Sequence, residues 1–253
     1  MSFAAAMLLA LTPFGQPEPP SPLAPPVPPA PPPKSTSDPT ASPTQFSIGF
    51  EPNCSHSVEV CRRKALAAMI KEGITYAEAR SDGSVHGYTS TCQVLVLTFT
   101  GQAGTDVFTY VVGTTTAETE RLLQAVNRHV KTAETDTKTP DRVGSPKADQ
   151  LAGQPAICWQ SGLQPSQSVG RYFIPVAALS FEKFGYSPVN LGASHWFVAG
   201  SKPQPQQALL ACQVPGDSAL KCRLIVLGIA RDPEVCDRDT KAVFDKIVKT
   251  LYE

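Results

Sequence analysis

Seven cysteines (Cys54, Cys61, Cys92, Cys158, Cys212, Cys222, Cys236) and four histidines (His56, His86, His129, His195) are the residues of this chain best suited to chemistry. A thiolate attacks carbonyls and disulfides and binds soft metals, and an imidazole exchanges protons near neutral pH. Spacing decides between those uses. No Cys-x-x-Cys occurs, and no histidine stands at zinc-ligand distance from a cysteine, so neither a metal nor a cofactor is expected. A Gly-x-Ser-x-Gly nucleophile elbow is missing, and His86 and His195 fall near turns, where histidine is usually structural or solvent-facing. Gly101-Gln-Ala-Gly104 lacks the lysine and the helix of a phosphate-cradling loop. Asp237 and Asp239 fall at a helix start, where the macrodipole accounts for acidic residues. No catalytic residue is assigned.

The cysteines then read as bridge-formers. Leu209–Val214 and Lys221–Ile229 flank the turn-rich Pro215-Gly-Asp-Ser218. A hairpin folded about Asp217 sets Cys212 opposite Cys222, a candidate disulfide. Cys54 and Cys61, at i and i+7 around a helix start, bridge only if Cys54 lies outside the helix and the chain folds back. Cys92, Cys158 and Cys236 find no partner in sequence, and an odd total leaves at least one thiol over.

Such cysteine usage suits an oxidising compartment, and the first 45 residues point the same way. Residues 1–15 carry a dozen-residue apolar run (Phe3–Phe14), too short for a bilayer and of the length of a signal-peptide core. Residues 16–44 are dominated by proline (Pro25-Pro26, Pro28-Pro29, Pro31-Pro32-Pro33), which removes amide donors and enforces an extended spacer. The expected location is secreted, periplasmic or in the cell envelope, with membrane contact only through the N-terminal segment. Formal net charge is zero, which argues against nucleic acid as a partner.

The elements that must position these residues recur. Residues 45–131 and 156–253 each begin with an apolar run (Phe46-Ser-Ile-Gly-Phe50; Ala156-Ile-Cys-Trp159) and continue through an amphipathic segment ending in glycine (Gly73; Gly185). A tyrosine follows (Tyr76; Tyr186), then strand-like runs, a last strand ending in glycine (Gly113; Gly228) and a closing helix. The pattern predicts an α+β fold of two tandem β-α-β-β-β(-β)-α copies, with mainly antiparallel sheets, helices on one face of each, and a pseudo-twofold between copies. Residues 132–155, polar and aperiodic, read as a linker. In the first copy Val58, Cys61, Ala65, Ala68 and Met69 form the helix's apolar stripe, with Arg62, Arg63, Lys64 and Lys71 on its solvated face. Thr115-Thr-Ala-Glu118 is a capping box for the closing helix, whose counterpart starts at Asp232-Pro233.

Aromatic residues concentrate in the second copy, and Trp159, Trp196 and Tyr186 are candidates for a binding groove, with larger core side chains as the plainer reading. The chain therefore reads as a non-catalytic binding protein whose partner, a protein or a small ligand, the sequence does not name. The alternative is a secreted hydrolase or thiol-dependent enzyme using an unpaired cysteine or a histidine.

Overall fold

The computed structural model describes residues 45–132, 142–144, 155–165, 172–189, 197–202 and 207–252. The signal-peptide and proline-spacer segments lie outside them. Described are eleven strands in two antiparallel sheets and four helices. The first sheet contains β1 (Gln45–Cys54), β2 (Tyr76–Ala79), β3 (Ser84–Tyr88), β4 (Cys92–Thr100), β5 (Thr105–Gly113) and β6 (Arg142–Val143), in the spatial order β1-β5-β4-β3-β2-β6. The second contains β7 (Ala156–Pro165), β8 (Ser187–Val189), β9 (Phe197–Lys202), β10 (Gln207–Pro215) and β11 (Lys221–Ala230), in the order β7-β11-β10-β9-β8. Helices α1 (Val58–Lys71) and α2 (Thr116–Lys131) follow β1 and β5; α3 (Phe173–Lys183) and α4 (Pro233–Tyr252) follow β7 and β11.

Strand periodicity explains the layers, because alternate residues face opposite sides of a sheet. In β4, Val94 and Val96 pack under α1 and α2, whereas Leu95 and Leu97 point the other way. In β11, Leu224 and Val226 pack under α3 and α4, whereas Ile225, Leu227 and Ile229 point away from them. The away-facing residues of both sheets form one shared core that includes Phe46, Ile48, Phe108, Tyr110, Phe197 and Leu210. The two sheets are thus stacked face to face, with helices outside. Central strands are buried on both faces, which is why they read as unbroken apolar runs. Each fully buried Leu or Phe there contributes about 1.5–3 kcal/mol of transfer free energy.

Local signals work where expected. Ser57 caps α1 by accepting from the Val60 amide. Gly73 (φ 82°) closes it, with the Ile74 amide donating to the Met69 carbonyl and Gly73 to Ile70, a Schellman ending that needs the left-handed residue. Asp232 caps α4 by accepting from the Glu234 and Val235 amides, with Pro233 in the first helical position. Pro175 sits in the first turn of α3, where its missing amide costs no helical bond.

Four expectations are corrected. Only half of the capping box forms, because Thr115 accepts from the Glu118 amide but the Glu118 carboxylate takes the Thr91 hydroxyl instead. The linker contains β6, which pairs with β2 at the sheet edge. Lys64, assigned to the solvated face of α1, is 1% exposed. The β10–β11 register pairs Pro215 with Cys222 and Cys212 with Ile225. That is three residues away from the expected hairpin, and an odd shift turns side chains to opposite faces. Cys212 therefore lies between the sheets and Cys222 under the helices, so these two are not a disulfide pair.

Candidate functional site

Reactive side chains gather first where β1 runs into α1. The β1–β5 register shifts between Glu51 and Cys54, with Asn53 in the left-handed region (φ 55°), and Cys54 joins the helix-side core. There its thiol shares a hydrogen bond with Cys61, in the first turn of α1, so the chain brings this sequence-predicted pair together. Donation from Cys54, aided by Thr105 and the nearby Lys64, holds the Cys61 thiol below its ordinary range against the opposing effect of burial. The same donation raises Cys54. One helical turn on, Lys64 Nζ lies 3.0 Å from His56 Nε2 and donates to the Thr132 carbonyl at the end of α2. A lysine can be buried here because a helix C-terminus leaves carbonyls without intrahelical donors. Cys61 itself is fully buried, which keeps this arrangement away from any substrate in bulk solvent.

A second cluster lies on β3, where Ser84, His86 and the turn residue Asp82 adjoin. Ser84 Oγ donates to Asp82 Oδ1 (2.6 Å) and lies 3.1 Å from His86 Nε2. These are the residue types of a hydrolase triad in the wrong order. In a triad the carboxylate orients the imidazole and the serine gives its proton to that imidazole; here the serine proton goes to the carboxylate. Burial would raise Asp82, but the side-chain and backbone hydrogen bonds from Ser84 outweigh it and hold the carboxyl low. His86 is pushed down to about 4 by burial and by Arg80. A neutral, buried imidazole of such low basicity is a packing residue.

Of the candidate aromatic groove, Trp159 and Tyr186 lie on opposite faces of the second sheet. Trp159 packs partly buried against the inter-sheet core, and Tyr186 is buried on the helix side of the second sheet. The Tyr186 hydroxyl donates to Asp239 Oδ2 (2.9 Å) and lies 3.2 Å from Gln207 Oε1, and Lys202 Nζ binds the same Asp239 oxygen (3.0 Å). Burial would raise Asp239, but these donors and Arg238 hold its carboxyl low. Asp239 is thus explained by a buried network and not by the helix dipole. Trp196 and His195 lie outside the described residues. Cys92 is pushed up to about 12 by burial and by Glu118, and burial pushes Cys212 up as well, which leaves both thiols inert. Among the described residues, no group of three or more His, Cys, Asp or Glu side chains could hold a metal ion.

What sequence reasoning missed is a surface. Tyr172 is 63% exposed and Leu179 64%, with exposed Pro175 and half-buried Val176 between them. Positions 172, 175, 176 and 179 make one stripe along α3, opposite the buried residues Phe173, Ala177 and Phe181. Counting back from the glycines that end the two helices, Leu179 holds the place of Ala67 and Val176 that of Lys64. In the first half that face is closed, with Ala67 9% exposed and Lys64 tied to the end of α2. In the second half the same face is open and apolar. The signal was available: α3 is apolar all round (Phe-Ile-Pro-Val-Ala-Ala-Leu-Ser-Phe), more than one buried stripe requires.

No protein-family model matches the sequence, and no curated protein matches it. Among solved structures, the chain is similar to the di-domain ARO/CYC StfQ from the steffimycin biosynthetic pathway, with a TM-score of 0.29 and 8% identity over 81% of this chain and 97% of that one. The di-domain ARO/CYC BexL from the BE-7585A pathway gives 0.26 and 8% over 83% and 99%. DynU16, from the dynemicin biosynthetic locus, gives 0.23 and 12% over 83% and 79%. Likeness at this level transfers neither a site nor a reaction. No helix among the described residues is long and apolar enough to cross a membrane.

Proposed function

We propose that this is a non-catalytic binding protein built from two copies of one α+β module, stacked about a pseudo-twofold, carried outside the cytoplasm by the apolar run in residues 1–15 and spaced from it by the proline-rich residues 16–44. The matching order of five strands in the two sheets (β1-β5-β4-β3-β2 and β7-β11-β10-β9-β8) and the same placing of helices after β1 and β5 and after β7 and β11 support the duplication. The observation that carries the binding reading is the open face of α3. Exposing Tyr172 and Leu179 costs solubility and contributes nothing to the fold, whose core is already filled from the other side of the helix. The occupant best matched to such a stripe is a protein partner presenting its own apolar helix or strand, with Tyr172 and Leu179 as anchors.

A photo-crosslinking residue at position 179, with the same residue at partly exposed position 63 as control, tests this in the intact exported protein. A partner captured at 179 and absent at 63, whose binding in purified form weakens at least tenfold with Leu179→Glu, supports the reading. Unchanged affinity for Leu179→Glu refutes it. Self-association abolished by Leu179→Glu would identify the occupant as a second copy. The catalytic alternative is less well supported, because, of the two thiols held below their ordinary range, Cys61 is enclosed by the core and Cys158 faces a second cysteine, Cys236.

A further inference from the structure

The first turn of each closing helix touches the opening strand of its own half, and the two halves place different chemistry there. In the first, the fourth residue of α2 is Thr119, whose hydroxyl lies 2.8 Å from that of Ser47 on β1, both buried. In the second, the fourth residue of α4 is Cys236, which faces Cys158 on β7. Two cross-contacts fix that meeting. The Cys236 thiol reaches the Ala156 carbonyl, two residues from Cys158 along β7 (3.4 Å), and the Cys158 thiol reaches the Pro233 carbonyl, three residues from Cys236 (3.8 Å). Gly228, directly opposite Cys158 in the β7–β11 register, lies under the same turn of α4: a side chain there would clash with the Thr240 hydroxyl and come within 3.3 Å of the Cys236 sulfur. The thiols share a hydrogen bond. Cys158 is half-buried whereas Cys236 is 2% exposed.

We propose that Cys158 and Cys236 are a redox pair that a small disulfide oxidant, such as oxidised glutathione, closes into a clamp between β7 and α4. The Cys158 thiolate attacks one sulfur of the oxidant, forms a mixed disulfide and expels one glutathione thiolate, which takes up a proton. Cys236 gives up its proton, attacks the Cys158 sulfur and expels the second glutathione. The protein loses two protons and two electrons, and one glutathione disulfide takes up both to become two glutathione thiols. The order follows from access and acidity. Cys158 is reachable from solvent and held below its ordinary range by the hydrogen bond from Cys236, which the same bond raises. The Ser47–Thr119 contact of the other half cannot take this step, so the clamp is a property of the second half alone.

The test is made on the folded full chain, incubated with oxidised and reduced glutathione at graded ratios, acid-quenched, alkylated and digested without reduction. The expected result is one linked species joining the Cys158 and Cys236 peptides, lost on reduction, while Cys212 stays alkylatable only after unfolding. In Cys236→Ser, Cys158 retains one glutathione; in Cys158→Ser, Cys236 stays unmodified while the protein is folded. The closed clamp raises the thermal midpoint by roughly 10 °C, as a bridge closing a long loop does. Peptides that remain separate at every ratio, or that link only in denaturant, overturn the proposal. Should either variant fail to fold, the map of the wild-type protein decides alone.

Discussion

The opening helices of the two halves, α1 and α3, share a sheet position, a buried alanine (Ala65; Ala177) and a closing glycine at positive φ. Beyond that they diverge. Helix α1 closes its second face with Ala67 and with Lys64 held at the end of α2, while α3 turns Leu179 and Tyr172 outward and keeps Val176 only half-buried. The difference teaches which positions the fold constrains. Residues pointing at the sheet must be apolar and sized to fit; residues pointing elsewhere are free to vary, so an apolar side chain retained there needs a reason other than folding.

Shared inward packing is the part of the comparison with the largest expected effect. Phe181→Ala should cost about 3–5 kcal/mol, because it empties a fully buried site against Tyr186 and Gly200. The urea midpoint measures it. If the loss is below 1 kcal/mol, α3 is not held by its inner face and the contrast with α1 fails. The first half carries its own titrating element, His86. Its folded-state value of about 4 lies below the ordinary 6.5, so its contribution is complete above pH 6.5 and is lost as pH falls towards 4, to about 3 kcal/mol. Unfolding free energy followed across that window should show the slope, and His86→Phe should flatten it. Lys64→Met removes the donors to His56 and the Thr132 carbonyl and should cost about 1.5–3 kcal/mol. Its counterpart Val176→Lys should cost less, about 1 kcal/mol, since Val176 is only partly buried against the helix-side core. Equal losses in thermal unfolding for this pair would mean that the two faces are alike after all. The smallest effect concerns Leu179→Glu, which should leave the urea midpoint nearly unchanged while weakening retention on a hydrophobic-interaction column.

The halves also differ in how legible they were. Helix ends were readable because their signals are local: Asp232 before Pro233 and the glycine after Glu72 each act within a few bonds. The β10–β11 register was not. Gly216, Asp217, Ser218, Ala219 and Leu220 offer several turns of similar cost, and the choice among them decides whether Cys212 meets Cys222. Lys64 looked like a surface residue because its partner, the Thr132 carbonyl, lies 68 positions away. Trp159 and Tyr186 were noticed as aromatic, yet composition says nothing about which side of a sheet an aromatic ring occupies.

By itself, then, the sequence determined the α+β class, the run of strands and helices, the caps, and the absence of a recognisable catalytic motif, because those depend on short-range periodicity and chemistry. Only the tertiary structure decided that the sheets stack face to face, that Cys54 meets Cys61 and Cys158 meets Cys236, and that α3 keeps an uncovered apolar side. Each of those is a contact between residues or surfaces brought together by folding, fixed by the joint packing of both halves and written in no single segment.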